Sequence, residues 1–88
     1  MYYVYALISE LDGKFYIGHT SDVEKRLKMH NAGYVVATKH RRPLKLFGTK
    51  AFRTKQEATK KEYWLKRQKD IEAAFRMFGK SRARSSVG

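Results

Sequence analysis

Residues 14–30 have the sequence KFYIGHTSDVEKRLKMH, which predicts a β-strand, a turn and a helix in immediate succession. The aromatic and β-branched residues at its start are typical of a strand. The four residues SDVE match a capping box, which places the N-cap of the helix at Ser21. The helix is expected to run to about Ala32, because Gly33 can adopt the left-handed conformation that ends a helix. The end of a strand and the start of a helix therefore lie three residues apart.

The residues before this passage complete a β-hairpin. YYVYALIS, residues 2–9, favours a strand, and ELDG supplies the turn. With a loop of four residues, Tyr5 faces Gly18 and Leu7 faces Tyr16. Tyr5 and Tyr16 are then diagonal neighbours on one face of the sheet. Since glycine has no side chain, we expect a gap beside the Tyr5 hydroxyl that is wide enough for a phosphate.

The second half of the chain predicts one more strand and one more helix. Residues 34–43 are polar, basic and irregular, with room for a short extra helix. A third strand is predicted near 44–48, and whether it continues over 49–52 stays open. TKQE forms a second capping box with Thr54 as N-cap, and the helix that follows is expected to continue, with a bend near 66–70, to about Phe78.

The predicted fold class is α+β, with a three-stranded antiparallel sheet flanked by helices in the order β-β-α-β-α. We expect residues 1–79 to form one domain and the basic residues 80–88 to form a disordered tail.

Charge narrows the class of partner. The 88 residues contain 20 Lys and Arg against 8 Asp and Glu, a net charge of +12, and nucleic acid is the usual partner of so basic a domain. A membrane surface is the weaker reading, because no helix shows a clean apolar face opposite a basic one. The absence of Cys excludes disulfides and thiolate zinc sites. With no signal-peptide pattern and no apolar run near ~20 residues, a cytoplasmic location is expected.

The first helix brings two polar residues toward the hairpin. Val23, Leu27 and His30 lie close to the face that meets the sheet. Arg26 lies on the same flank, four residues before His30, so the two side chains can converge. Taken singly, Arg26 favours an exposed charge and His30 a packing role. Together with the two tyrosines, they indicate a site.

The motifs resemble those of the GIY-YIG nuclease family. YVY at 3–5 and YIG at 16–18 resemble the two triplets of its name, with Tyr3 in place of Gly. The family carries an Arg eight residues after the second glycine and a His four residues beyond, which correspond to Arg26 and His30. Three further stretches resemble its small stand-alone bacterial members: HN at 30–31, RRP at 41–43 and FRTKQEATKKEYWLK at 52–66.

The resemblance implies a metal-dependent endonuclease that hydrolyses phosphodiester bonds in DNA, in repair or recombination. It places one Mg²⁺ or Mn²⁺ ion at Glu62, which would otherwise form an i,i+4 pair with Lys66. Arg26 would bind the scissile phosphate. Tyr5 is the first candidate to accept the proton of the attacking water, Tyr16 would orient phosphate or water, and His30 would assist. Which of these three side chains is the base stays open.

Five residues are expected to contact nucleic acid: Gly18, Lys39, Arg41, Arg42 and Lys45. Such a cluster of cations is suited to following a phosphate backbone rather than reading bases, although a solvated loop is the alternative. Specificity would then come from substrate shape or from a targeting partner protein. A non-catalytic nucleic-acid-binding module on a degenerate nuclease fold is the second hypothesis, and a basic protein–protein adaptor is the third.

Overall fold

The computed structural model describes residues 1–67. Their elements are β1 (Tyr2–Ser9), β2 (Phe15–Thr20), α1 (Val23–Ala32), a 3₁₀-helix (Lys39–Arg41), β3 (Leu44–Phe52) and α2 (Lys55–Arg67). This order confirms the predicted α+β class and the short helix between 34 and 43. The predicted continuation of α2 to Phe78, most of the predicted bend at 66–70 and the tail at 80–88 lie outside the described residues.

The three strands form an antiparallel sheet in the order β2-β1-β3. Tyr5 pairs with Gly18 and Leu7 with Tyr16, which confirms the predicted register of the hairpin. β3 continues to Phe52, so residues 49–52, which the sequence left open, belong to the strand. The alternation of apolar and polar residues is weak after 48, and it is the pairing with the central strand, as far as Tyr2 opposite Phe52, that extends β3.

Each face of the sheet is covered by one helix. On one face, Tyr5, Leu7 and Leu44 form a buried cluster against which α1 packs Val23 and Leu27. On the other face, Val4 packs with two residues of α2, Ala58 and Leu65. This division follows from the period of two along β1, which sends Val4 and Tyr5 to opposite faces.

The helix ends follow the chemistry of their caps. α1 is capped by Asp22, whose Oδ1 accepts from the backbone N–H of Lys25 at 3.1 Å, so the predicted N-cap at Ser21 was wrong by one residue. Asp and Ser are about equally favourable as N-cap residues, so either Ser21 or Asp22 could have capped α1. Gly33 ends α1 in the left-handed region, with φ 89°, as predicted. The capping box of Thr54 and Glu57 is also present: Glu57 N–H donates to Thr54 Oγ1 at 3.2 Å.

Candidate active site

The Tyr5 side chain lies directly over Gly18. A Cβ atom added at Gly18 would come within 2.6 Å of the Tyr5 hydroxyl oxygen, so this position has room for no side chain. The gap expected beside the hydroxyl is filled by the hydroxyl itself, because the tyrosine leans across the strand onto the glycine. Gly18 is therefore buried beneath Tyr5, and its role is to seat the phenol.

Tyr5 begins a buried chain of polar contacts. Its hydroxyl lies 2.9 Å from His30 Nε2, and His30 Nδ1 lies 2.7 Å from Thr38 Oγ1. Tyr5 is 1% exposed, and His30 and Thr38 are fully buried. The Tyr16 ring packs against both aromatic neighbours, with centroids 6.4 Å from Tyr5 and 5.0 Å from His30. The structure thus brings together the two predicted tyrosines and the predicted histidine on one face of the sheet.

Arg26 adds a positive charge to this cluster. Its guanidinium acts to lower the pKa of the Tyr5 hydroxyl, and its Nε is buried with no hydrogen-bond partner among residues 1–67. The salt bridges within those residues do not include Arg26. A half-buried cation without a local carboxylate is costly. The arrangement therefore leaves a charged donor available to an anion.

The surroundings set the protonation of the phenol and the imidazole. Burial raises the pKa of Tyr5, and the nearby Arg26 offsets part of that rise. Burial, followed by the charge of Arg26, lowers the pKa of His30 from 6.5 to about 4. At neutral pH, Tyr5 is therefore a phenol and His30 an uncharged imidazole.

This buried imidazole predicts a loss of stability in mild acid. The pKa of His30 is lowered to about 4 in the folded state, so between pH 6.5 and pH 4 the unfolded chain takes up a proton at this residue and the folded chain does not. The free energy of unfolding therefore decreases as the pH is lowered through this window. Between pH 7 and pH 5, the native chain should lose about 2 kcal/mol more than His30→Gln. Urea unfolding at the two pH values measures the difference. The exposed His40 supplies the control His40→Gln, which should lose as much as the native chain, and equal losses in all three would contradict the prediction.

Glu62 lies at the edge of the sheet formed by β2. Its Oε1 contacts His19 Nδ1, and its Oε2 lies 2.6 Å from Lys66 Nζ. Burial acts to raise the pKa of Glu62, but the hydrogen bonds and charges of Lys66 and His19 outweigh it and lower the pKa. The lowered pKa means that Glu62 is an ionised carboxylate at neutral pH. Its side chain is only 13% exposed and is turned toward the sheet, as predicted. Glu62 also makes the i,i+4 pair with Lys66 that was considered as the alternative.

Two observations connect Glu62 with the tyrosine cluster. Lys66 Nζ lies 5.8 Å from the centroid of the Tyr16 ring. The negative charge of Glu62 is also one of the smaller influences that raise the pKa of Tyr5, after burial of the phenol. Lys66 thus links the carboxylate to the Tyr16 ring, and the charge of Glu62 acts on the Tyr5 phenol.

His19 and Thr38 belong to the site but were not predicted. His19 follows Gly18 on β2, so the period of two directs it away from Tyr16 and toward α2. That alternation is a signal from which its contact with Glu62 could have been expected. Thr38 lies in an irregular segment, and nothing in its sequence context indicates burial.

The donor set suits one kind of metal site. Within residues 1–67, the structure contains no group of three His, Cys, Asp or Glu side chains that could hold a metal ion. In the described part of the chain, Glu62 offers an ionised oxygen donor that acts on the cluster. Mg²⁺ keeps several waters and is often held by one carboxylate together with substrate phosphate. The side chains of residues 1–67 therefore fit an ion shared with the substrate, and they do not form a closed protein cage.

Of the five predicted nucleic-acid contacts, Gly18 is buried beneath Tyr5, and the four cations separate into two groups. Lys39, Arg42 and Lys45 are exposed. Arg41 instead supports the hairpin: its Nε lies 3.3 Å from Asp12 Oδ2, and its Nη2 donates to the backbone oxygen of Phe15 at 3.3 Å. In the described part of the chain, no helix has the length and apolar character needed to cross a membrane.

This fold and cluster define a GIY-YIG catalytic domain. The sequence model of the GIY-YIG catalytic domain family matches residues 1–72, so the chain belongs to this family. Domains of this family are nuclease-like and act on nucleic acid.

The similar proteins include bacterial members of the group named UPF0213. The UPF0213 protein of Bacillus pumilus is 42% identical over 65 residues, which cover 68% of this chain and 66% of that protein. The UPF0213 protein of Staphylococcus saprophyticus is 42% identical over 74 residues, which cover 80% of this chain and 89% of that protein. The chain thus spans slightly less than two thirds of the first relative.

A solved structure shares the fold. The solution NMR structure of a UPF0213 protein from Bacillus halodurans is 38% identical, with a TM-score of 0.52, and the match covers 84% of this chain and 80% of that chain. The α+β architecture is therefore that of a UPF0213 protein.

Proposed function

We propose that this protein is a metal-dependent endonuclease that hydrolyses phosphodiester bonds in DNA. The observation that carries the proposal is the Arg26 guanidinium, whose Nε is buried without a partner in residues 1–67 and which lies against the phenol of Tyr5. A phosphodiester supplies the missing anion. The phenol, the imidazole and the nearby carboxylate are the groups that a hydrolytic reaction requires.

Arg26 binds the scissile phosphate in this proposal. A guanidinium can donate two parallel hydrogen bonds to phosphate oxygens, and its charge stabilises the additional negative charge of the transition state. Tyr16 is partly exposed beside it, in contrast to Tyr5. Its hydroxyl is therefore the one that meets the entering phosphate and orients it.

Tyr5 and His30 together accept the proton of the attacking water. The water donates a proton to the Tyr5 oxygen as the Tyr5 O–H proton passes to His30 Nε2, 2.9 Å away, so the phenol stays neutral. The charge of Arg26 lowers the pKa of His30, after the larger effect of burial. A phosphate on Arg26 neutralises that charge, so substrate binding raises the proton affinity of the imidazole.

Glu62 would hold one Mg²⁺ or Mn²⁺ ion. Such an ion supplies charge neutralisation at the phosphate and at the leaving oxygen. It would replace Lys66 or His19 at one carboxylate oxygen, since each oxygen now contacts one of them. His19 and Lys66 keep the carboxylate ionised and in place until then.

The exposed cations bind the rest of the DNA. Lys39 follows Thr38, which contacts His30, so this segment links the catalytic cluster to the surface. Lys39, Arg42 and Lys45 would pair with backbone phosphates and give affinity without sequence specificity. A partner protein would then direct the nuclease to its substrate.

Nicking of supercoiled plasmid tests the proposal. The native chain should nick the plasmid with Mg²⁺ or Mn²⁺ and stop when EDTA is added. Tyr5→Phe removes only the hydroxyl and should slow nicking at least about 100-fold, the lower range for a lost proton-transfer group. Tyr63→Phe makes the same change on the exposed face of α2 and should nick at the native rate.

Two results would overturn this account. If Tyr5→Phe nicks at the native rate whereas Tyr16→Phe is inactive, then Tyr16 accepts the proton. If the native chain binds DNA but does not nick it with either metal, the protein is a binding module.

A further inference from the structure

We propose that Thr38 is a positioning residue that fixes the imidazole of His30 with its proton on Nδ1, so that Nε2 is held as the acceptor for the Tyr5 hydroxyl proton. The role of this tautomer in catalysis rests on the proposed function. The assignment of the tautomer is independent of that function, because it follows from the hydrogen bonds of the protein without substrate.

The first step is to follow the proton of Tyr5. A guanidinium has donors and no acceptor, so Arg26, which acts on the Tyr5 hydroxyl, cannot accept its proton. The Tyr5 proton must then find an acceptor elsewhere. His30 Nε2 lies 2.9 Å from the hydroxyl, so the phenol donates to Nε2, and this nitrogen carries no proton.

The second step concerns the other ring nitrogen. A neutral imidazole has one proton, which must be on Nδ1 if Nε2 accepts. His30 Nδ1 then donates to Thr38 Oγ1 at 2.7 Å. The Thr38 hydroxyl donates in turn to the backbone oxygen of Val35, at 3.5 Å. Every polar atom in this buried chain has a partner.

The opposite tautomer leaves a defect. With the proton on Nε2, His30 would donate to the Tyr5 oxygen, and the Tyr5 proton would have no acceptor in the hydrogen bonds of residues 1–67. A buried donor without a partner is unfavourable. The hydrogen-bond network therefore favours the proton on Nδ1.

The backbone explains how a loop residue can hold a buried ring. Thr38 is the one buried residue in the segment from Gly33 to Pro43. Its backbone N–H donates to the Val35 oxygen at 3.1 Å, and its own backbone oxygen accepts from Arg41 at 2.9 Å. These bonds fix its Cα on both sides, so the hydroxyl is presented to His30 in a set position. Such a partner on the second nitrogen is the usual determinant of a histidine tautomer.

The test is the tautomer measured by long-range ¹H–¹⁵N NMR at neutral pH, with His30→Gln used to assign its signals among the three histidines. In the native chain, Nδ1 should have the shift of a protonated nitrogen and Nε2 that of an unprotonated one. Thr38→Ser keeps the hydroxyl and should retain this pattern. Thr38→Val replaces the hydroxyl by a methyl group and removes the acceptor of the Nδ1 proton, while the Tyr5 proton still needs Nε2. The Nδ1 resonances should therefore shift to those of an N–H group without a hydrogen bond, with the amide spectrum of the fold otherwise retained.

Nicking supplies the second measurement. Thr38→Val should lower kcat about ten- to a hundredfold with KM little changed, the range found when an orienting partner of a metal-ligating histidine is lost, and Thr38→Ser should restore the rate. A native chain with the proton on Nε2, or a Thr38→Val spectrum identical to the native one, would overturn this inference even in an active nuclease. A native chain that shows the Nδ1 proton but does not nick DNA would overturn the proposed function alone.

Discussion

Replacing Glu62 by Gln is expected to lower the rate of metal-dependent nicking about 1000-fold. The amide keeps the size of the side chain but loses the charge that would hold a divalent ion. A metal ion contributes several kcal/mol of charge stabilisation to such a transition state, and each 1.36 kcal/mol corresponds to a factor of ten in rate. Single-turnover nicking at saturating Mg²⁺ measures the effect on the chemical step.

Glu57→Gln is the matched control, because Glu57 lies on the same helix and is exposed. It forms part of the capping box with Thr54, so its loss should weaken the start of α2 slightly and leave the nicking rate unchanged. Native-like nicking by Glu62→Gln, or an equal loss in both variants, would exclude a specific role for this carboxylate.

Replacing Arg26 by Ala should lower turnover by about 100- to 1000-fold, the range found when one preorganised donor to a transition-state charge is removed. Affinity for DNA should change far less, since the exposed cations supply most contacts with the backbone. The fold should tolerate the change, because Arg26 forms no salt bridge within residues 1–67. Filter binding and single-turnover nicking on the same duplex separate the two effects.

Lys25→Ala provides the comparison for Arg26. Lys25 is the neighbouring residue of α1, is exposed and carries the same charge, so its loss should leave turnover unchanged. A loss confined to affinity in Arg26→Ala would mean that the arginine binds the backbone and does not stabilise the transition state.

Most of the fold could be predicted because local signals agreed with one another. The turn at ELDG and the length of its loop set the register that places Tyr5 opposite Gly18. The left-handed Gly33 and the capping box at Thr54 marked helix ends that the structure retains. The convergence of Tyr5, Tyr16 and His30 followed from the strand period and from one face of α1.

The remaining features depend on contacts between distant residues. The end of β3 depends on pairing with β1, which no local pattern reports. The burial of Thr38 depends on the path of an irregular segment across α1. The expected gap at Gly18 was wrong because a missing side chain leaves space that a neighbouring ring can fill, and the tyrosine opposite it does so.

The central claim is that one phosphate is held by Arg26 while one metal ion is held by Glu62. A crystal structure of the protein with Mn²⁺ and a short DNA duplex tests this claim most directly. The account predicts an anomalous peak at coordination distance from the Glu62 carboxylate, with a backbone phosphate on the Arg26 guanidinium and on the same ion. Bound DNA with Glu62 still paired to both His19 and Lys66, and with no phosphate on Arg26, would contradict it.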